Sequence, residues 1–246
     1  MLHLLKRHPI PIRAFLRRVL VLTYAFPPEV LEPLLPEGLA LDTWRGQAFL
    51  AVALVQTEGL RPAWLPAAMG GDFFLSGYRI FTSRKSGQSL RGLRILRSDT
   101  DRRVMAWAGN LLTHYNYSLC KAKVEERGGE VRWTVRTPQG AADLDVTAHV
   151  AGGEAALPPG SPFASLQEAR RFAGPLPYTF DFEPETGSIV AIRAERPEWN
   201  PQPVAVEVRQ CAFLEGAPFS RAVPVLANAF YVHDVPYKWE RGRRVA

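Results

Sequence analysis

The sequence has few of the residues on which common enzyme and metal sites depend. Its only cysteines, Cys120 and Cys211, form neither a CxxC pair nor a metal-type spacing. Five histidines are scattered without ligand spacing, and phosphate-loop, dinucleotide and serine-hydrolase motifs are absent. We therefore predict no metal and no cofactor. Two cysteines in a chain of this length are expected to be free, buried thiols in a reducing compartment, which favours a cytoplasmic protein.

Long hydrophobic runs are also missing. The longest apolar run near the N-terminus, residues 19–26, is far too short to span a membrane, and no small-residue cleavage site follows it. The sequence therefore predicts no membrane association.

Lysine is scarce in a chain that is nevertheless basic. The formal net charge is +6, and arginine supplies 25 of the 30 cations. Residues 1–123 carry 17 basic and 8 acidic residues, whereas the remainder is slightly acidic. This asymmetry indicates either a basic surface or an anion pocket, or else only solvated strand faces in an arginine-rich proteome. No basic run is interleaved with aromatics as in a nucleic-acid platform, so no nucleic-acid partner is predicted.

Many short strand patterns and few helical ones predict a mainly β (α+β) protein. With 47% apolar residues and no repeat, residues 1–246 are expected to form a single domain. Within it, residues 1–16 are predicted to be an extended arm and residues 216–246 a C-terminal extension. Predicted strands cover residues 17–25, 41–44, 48–57, 73–83, 90–97, 121–126, 130–137, 144–150, 178–182, 188–195, 204–214 and 230–232.

Helices and turns are fewer. Residues 29–35 and 165–172 are predicted helices, the second with Ser165 as N-cap and Glu168 three residues on, as in a capping box. Residues 104–112 fit a strand or a short helix. A turn is predicted at Ser86 and Gly87, and loops at residues 60–71 and 152–161.

Several segments together resemble one superfamily. They are LTYAFPPEVLEPLLPEGLALDTWRGQAFLAVAL, DFFLSGYRIFT, RRVMAWAGNLLTHYNYSLCKAKV, LQEARRFAGPLPYTF and RPEWNPQPVAVEV, and the likeness covers roughly residues 17 to 215. In this order they resemble the acetoacetate decarboxylase-like superfamily, and within it a bacterial branch of uncharacterised YqjF-like proteins. The resemblance implies a closed antiparallel β-barrel around a small-molecule pocket, with flanking strands and a few short helices. Because superfamily members often assemble through strand edges, it also allows a homo-oligomer.

The same resemblance implies that one chemistry is lost. True decarboxylases form an imine between the substrate and a lysine whose pKa is lowered by desolvation and a neighbouring cation. Their motif resembles G-R-E-x-W-G-F-P-K-K, and laid without gaps from Gly109 it places the nucleophilic lysine on Tyr117, which cannot form an imine. The pocket glutamate falls on Leu75 and a substrate-binding arginine on Ala25. We therefore predict that the chain has no acetoacetate decarboxylase activity.

Arg79 is the strongest candidate for a binding residue. The YqjF-like branch carries a strand resembling N-V-R-T-Y, and Arg79 matches its arginine. Period two places Leu75, Gly77, Arg79 and Phe81 on one face, which is expected to point inward. An inward guanidinium can bind a carboxylate or a phosphate with two hydrogen bonds. The alternative is an internal salt bridge to Asp42, Asp72 or Glu58.

The segment after Gly109 supplies the other candidates. His114, Tyr115, Asn116 and Tyr117 could contribute a base and hydrogen-bond donors to a pocket shared with Arg79. The alternative is aromatic packing with satisfied polar tips. No catalytic residue can be assigned from the sequence.

Three functions fit these patterns. The first is a small-molecule-binding barrel protein whose ligand is anionic or carbonyl-bearing. The second is an enzyme that acts on a small carbonyl or carboxylate compound by acid/base chemistry without an imine. The third is a structural or partner-binding protein whose barrel is filled by side chains.

Overall fold

The computed structural model describes residues 2–85, 90–151, 155–174 and 176–245, and this part of the chain is mainly β. The strands are β1 Ile12–Phe26, β2 Leu39–Leu41, β3 Ala48–Pro62, β4 Gly71–Arg84, β5 Arg91–Thr100, β6 Tyr117–Leu119, β7 Lys121–Arg127, β8 Glu130–Arg136, β9 Leu144–His149, β10 Tyr178–Glu183, β11 Ser188–Glu195, β12 Gln202–Pro203, β13 Ala205–Cys211, β14 Val225–Trp239 and β15 Arg243–Val245. The helices are α1 Pro28–Leu31, α2 Arg103–Leu112, α3 Leu166–Ala173 and α4 Ala212–Glu215, with short 3-10 segments at Leu2–Arg7, Glu32–Leu34, Ala67–Met69, Pro138–Gly140 and Phe219–Arg221. The turn predicted at Ser86 and Gly87 lies outside the described residues, as does part of the predicted loop at residues 152–161.

The large sheet is built on long antiparallel strands. Its path runs β14-β1-β3-β4-β5-β10-β11, and β11 also pairs with β14 through Ala194 with Trp239 and Glu195 with Lys238. The pairing between β5 and β10 is parallel and short. Apolar residues fill both faces of β1 and β3, because one face meets the inside of this strand path and the other meets the second sheet.

The second sheet packs against the outside of the first. Its order is β13-β9-β8-β7, and the strands predicted at residues 121–126 and 130–137 form its β7–β8 edge as a hairpin that turns at Gly128 and Gly129. Alternation places Val131, Trp133 and Val135 inward, where they join Leu20, Leu22 and other residues in the largest core cluster.

Both chain ends differ from the sequence predictions. The N-terminal region is not an extended arm, since Leu2–Arg7 is a 3-10 helix and β1 begins at Ile12. The C-terminal region contributes β14, which pairs with β1 over most of its length. The sequence predicted only residues 230–232 of this strand, since Pro236 normally interrupts a strand.

Two helices differ in how well the sequence predicted them. Residues 103–112 are helical, which resolves the strand-or-helix ambiguity. In α3 the predicted cap is confirmed, because the Ser165 hydroxyl accepts a hydrogen bond from the Glu168 N–H.

Cys120 and Cys211 are free and buried in the described structure, and burial raises the pKa of each thiol to about 12. No helix among the described residues is long and apolar enough to cross a membrane.

Candidate functional site

A cavity of about 110 Å³ lies inside the large sheet. It is bounded by the inner faces of β1, β3, β4 and β5, by β14 and by the segment that follows α3. A single water needs only about 10–15 Å³ on this kind of measure, so the space can hold a small organic molecule.

The cavity exists because the inward positions of two strands are small. The inner face of β3 carries Ala51 and Ala53 before Val55, and Ala14 faces the cavity from β1. On β4 the predicted inward face is confirmed, since Leu75, Arg79 and Phe81 all line the cavity. The position between Leu75 and Arg79 is Gly77, and it leaves room for the arginine. A Cβ placed on Gly77 would lie 2.8 Å from Nε of Arg79, so the side chain folds back over this glycine.

Arg79 is partly buried, and its Nε has no partner among the described residues. This atom is shielded from solvent and makes no hydrogen bond there, and the guanidinium forms no ion pair with a described acid. Burial lowers the pKa of Arg79, and the neighbouring Arg196 lowers this pKa further, while Tyr237, Tyr117 and Tyr115 oppose the shift. A guanidinium stays charged at any physiological pH, so the Nε–H remains an unsatisfied donor beside the cavity.

The predicted salt-bridge alternative for Arg79 is wrong, because each proposed acid has another partner. Asp42 receives the Nε–H of Arg91 at 2.7 Å. Glu58 pairs with Arg17 at 2.9 Å. Asp72 accepts the backbone N–H of Gly59 at 2.8 Å. Strand register explains this, since all three acids lie at strand ends while Arg79 lies in the middle of β4.

A second guanidinium, that of Arg196, lines the same cavity. It stacks over the rings of Trp199 and Tyr237, each at 5.4 Å, and Nη1 donates to the Leu176 carbonyl at 3.2 Å. These contacts hold it rigidly beside the cavity. Sequence reasoning missed Arg196, Trp199 and Tyr237 as site residues. The available signal was the segment RPEWN after β11, an arginine and a tryptophan within a proline-bounded loop.

Tyr117 lies on the cavity wall, as predicted. Its backbone N–H is bound by Oδ1 of Asn110 at 2.8 Å and its carbonyl by Nδ2 of the same residue at 2.9 Å. Its ring packs on Gly109, where an added Cβ would lie 2.3 Å from Cδ2 of Tyr117. The Gly109-Asn110 pair in α2 therefore positions the tyrosine. Burial raises the pKa of Tyr117, which outweighs the opposing charge of Arg79, so the phenol remains a hydrogen-bond donor.

His114 is not among the cavity-lining residues, contrary to the shared pocket that we predicted. Its Nδ1 lies 3.1 Å from Oδ2 of Asp181, and its backbone N–H donates to the same oxygen at 2.9 Å. Asp181 also pairs with Arg94 at 2.8 Å. Burial alone would raise the pKa of Asp181, but the hydrogen bond from His114 and the charge of Arg94 lower it. The group joins α2, β5 and β10 as a structural cluster.

Tyr115 and Asn116 also lie away from the cavity lining. Tyr115 is fully buried against the rings of His8 and Trp239. Asn116 has a φ of 51° and donates from Nδ2 to the Leu96 carbonyl at 2.9 Å, so it holds the turn into β6. The turn reverses the chain here, and for that reason Tyr117 points into the cavity while its neighbours do not.

The charge of the cavity is entirely positive. Among its described lining residues there is no aspartate, glutamate, histidine or lysine, and the charged groups are Arg79 and Arg196. Leu75 and Tyr117, the positions matched to the superfamily glutamate and lysine, both lie on the wall. Ala25, matched to its arginine, packs instead in a core cluster.

The comparisons with known proteins agree on the fold. The model of one family, DUF2071, described as an uncharacterized conserved protein, matches residues 13–236. Among curated proteins none matches this sequence.

Three solved structures are similar over almost the whole chain. An acetoacetate decarboxylase from Legionella pneumophila has a TM-score of 0.65 at 14% identity and covers 97% of this chain and 88% of its own. The enduracididine biosynthesis enzyme MppR complexed with pyruvate has a TM-score of 0.65 at 14% identity, with 97% and 91% covered. An acetoacetate decarboxylase-like enzyme from Sphingomonas wittichii RW1 has a TM-score of 0.63 at 14% identity, with 98% and 94% covered. At this identity the likeness shows the fold alone, which is acetoacetate decarboxylase-like.

Proposed function

Given that the chain belongs to DUF2071, a family of uncharacterized conserved proteins, we propose that it binds a small carboxylate in the cavity around Arg79. The similar MppR structure is complexed with pyruvate, itself a small carboxylate. The observation that carries the proposal is the Nε of Arg79, a shielded donor on a charged side chain that has no partner among the described residues. A shielded donor without an acceptor costs free energy, and an anionic ligand removes that cost.

The remaining polar groups of the cavity support an acceptor-rich ligand. The unpartnered buried atoms on its wall are Arg79 Nε, Trp199 Nε1 and Trp239 Nε1, which can only donate, and Thr57 Oγ1, which can donate or accept. With two guanidiniums and no carboxylate, the lining repels cations and amines. A carboxylate supplies two acceptor oxygens and the opposite charge, and it matches the planar guanidinium in geometry.

The proposal includes the loss of imine chemistry. Tyr117 occupies the wall where the superfamily resemblance places the lysine, and Lys121 and Lys123 are exposed on β7. Reduction with borohydride in the presence of acetoacetate is expected to leave no adduct on any lysine. A specific adduct, located by peptide mass spectrometry, would contradict this part of the proposal.

An acid/base enzyme has less support. His114, the expected base, is engaged with Asp181 and lies outside the cavity lining, and the raised pKa of Tyr117 disfavours its phenolate. A barrel filled with side chains has less support still, since side chains leave a cavity beside Arg79. We also propose that β14, β1, β3, β4, β5, β10 and β11 form a closed barrel, on the basis of the pairing between β11 and β14.

Thermal-shift and calorimetric titrations with small carboxylates test this function. Acetate, propionate and butyrate are expected to stabilise the wild type, whereas the corresponding amines should not. In Arg79→Leu the carboxylate response should disappear while the circular dichroism spectrum is unchanged. Arg193→Leu is the matched control, because it removes one exposed positive charge from β11 and should bind like the wild type. Equal binding by Arg79→Leu and the wild type would refute the role of Arg79.

A further inference from the structure

The cavity is different in character on its two sides. Arg79, Tyr117, Arg196 and Tyr237 bring polar groups to it, whereas the inner faces of β1 and β3 bring only the hydroxyl of Thr57. We define the apolar wall as the inward hydrocarbon residues of these two strands: Ile12, Ala14, Leu16, Val19, Val21, Ala51, Ala53, Val55 and Leu60.

Strand register makes the apolar wall continuous and places it beside the guanidinium. Val21 pairs with Ala53, and Val19 pairs with Val55. On the next strand Ala53 pairs with Gly77, over which Arg79 folds. A ligand whose carboxylate meets Arg79 therefore has its next atoms against hydrocarbon.

We propose that the ligand is a short aliphatic monocarboxylate whose tail packs on the apolar wall. This inference rests on the proposed carboxylate-binding function and names its ligand class. Burial of a hydroxylated tail here would leave its polar groups unpaired, whereas burial of a hydrocarbon tail is favourable.

The cavity volume limits the length of the tail. An engineered apolar cavity of about 150 Å³ accommodates benzene, with its six heavy atoms. The present cavity of about 110 Å³ is smaller. On this scale a carboxylate with a total of about three carbons fills it. Longer acids would have to displace Phe81 or Leu93, which pack in the core cluster at one end.

A chain-length series on the wild-type protein tests the proposal. Acetate, propionate, butyrate, pentanoate, hexanoate and octanoate are titrated, and the change in tryptophan fluorescence is followed because Trp199 and Trp239 line the cavity. Affinity is expected to rise about fourfold from acetate to propionate, and then to fall as longer tails exceed the cavity. A flat series, or the tightest binding by octanoate, would overturn the proposal.

A pair of ligands of equal size isolates the tail. Propionate and glycolate have the same number of heavy atoms, but the second carries a hydroxyl in place of the methyl group. Propionate is expected to bind at least about tenfold more tightly, since the hydrocarbon residues of the apolar wall offer the hydroxyl no partner. Equal or tighter binding of glycolate would refute an aliphatic tail.

A substitution in the apolar wall tests the contact with the ligand's tail independently of the contact with its carboxylate. Val55→Thr keeps the branched shape and places a hydroxyl in the apolar wall. It should reduce the gain per methylene while leaving acetate affinity close to that of the wild type. An unchanged chain-length series in a folded Val55→Thr protein counts against the assigned wall, and the wild-type series decides if that variant does not fold.

The outcomes distinguish this inference from the function on which it rests. If carboxylates bind through Arg79 without dependence on the tail, the ligand class is wrong and the carboxylate-binding function stands. If no carboxylate binds to the wild type at all, both are wrong.

Discussion

At the scale of single residues, the position of one guanidinium depends on the absence of one Cβ. Arg79 folds over Gly77, where an added Cβ would lie 2.8 Å from Nε and 3.0 Å from Nη2. A methyl group at this position forces the arginine to move. The site therefore requires glycine for space and not for its backbone angle.

The first prediction concerns this glycine. Gly77→Ala is expected to weaken carboxylate binding by tenfold or more, since a charged hydrogen bond contributes about 1.5–3 kcal/mol and depends on alignment. Calorimetric titration with butyrate measures the change. Gly71→Ala on the same strand is the matched control, because a Cβ there meets nothing within 4 Å. Equal affinities for both variants would mean that Gly77 does not set the position of Arg79.

The second prediction concerns His8, which is buried against Trp239 with ring centroids 4.6 Å apart. Burial lowers its pKa from 6.5 to about 4, although the charge of Asp181 opposes the shift. Between these values the unfolded chain binds a proton that the folded chain does not. Stability is therefore complete above pH 6.5 and falls as the pH is lowered toward 4, by a total of about 3 kcal/mol.

Urea unfolding at a series of pH values measures this loss. His8→Asn is the comparison, because asparagine does not titrate and tolerates the positive φ of 56° at this position. The variant should lose less stability between pH 6.5 and 4 than the wild type. Parallel curves would show that another group causes the acid sensitivity.

Sequence reasoning located some of these residues and not others. Arg79 and Tyr117 follow from strand alternation and from the family resemblance. His114 does not, because the turn at Asn116 directs consecutive side chains to different surroundings, and a linear motif carries no information on that turn. Arg196 and Tyr237 come from distant segments that only the tertiary fold brings together.

At the scale of elements, ion pairs attach the N-terminal 3-10 helix to the β10–β11 hairpin. Arg7 donates from Nε and Nη2 to Glu183 at 2.7 and 2.6 Å, and the glutamate side chain is fully buried. The hydrogen bond from Arg7 and a second one from Thr186 lower the pKa of Glu183 to about 2, against the effect of burial. The carboxylate is thus ionised wherever the protein is folded near neutral pH.

The third prediction is that Arg7→Ala destabilises the protein by about 3 kcal/mol, since it leaves a buried carboxylate without its cation. Chemical denaturation at pH 7 measures this. Arg17→Ala is the control, because its ion pairs with Glu58 and Asp234 are exposed and are expected to contribute less than about 1 kcal/mol. A similar cost for both variants would contradict the distinction between buried and exposed pairs.

The fourth prediction concerns α3, whose last residue, Ala173, lines the cavity. Ser165→Ala removes the side-chain acceptor for the Glu168 N–H and is expected to cost about 1 kcal/mol. Urea unfolding is the measurement. Ser220→Ala, in an exposed position outside any capping interaction of the described residues, should be close to neutral. A neutral Ser165→Ala would mean that the helix end is held by packing alone.

Elements with local signals were predicted well and elements defined by distant partners were not. The capping box of α3 and the glycine turn of the β7–β8 hairpin are signals within a few residues, and both elements form as expected. The N-terminal 3-10 helix depends on Glu183, far away in sequence, and β14 is a strand because it pairs with β1 despite Pro236. No short window contains either cause.

At the scale of the whole molecule, the strand path has strong and weak pairings. β1 pairs with β3 and with β14 over thirteen residue pairs each. The β10–β11 hairpin, in contrast, pairs with β5 over three residues on one side and with β14 over two on the other. Two ion pairs reinforce these short strand pairings, one between Arg94 and Asp181 and one between Lys238 and Glu195. The hairpin is therefore the part of the strand path with the fewest main-chain bonds to its neighbours.

The fifth prediction is that this hairpin opens before the rest of the molecule. Native-state hydrogen exchange should give a lower opening free energy for the amides of Phe180 and Ala191 than for those of Leu20 and Leu22 in β1, since local opening breaks few ladder bonds. Arg7→Ala removes an anchor of β10 and should accelerate exchange in the hairpin beyond its effect on β1. A saturating carboxylate should slow exchange in the hairpin of the wild type, because Arg196, just after β11, lines the cavity. Equal opening free energies for the hairpin and β1 would mean that the two open only by global unfolding, and that the cavity exchanges ligand by another route.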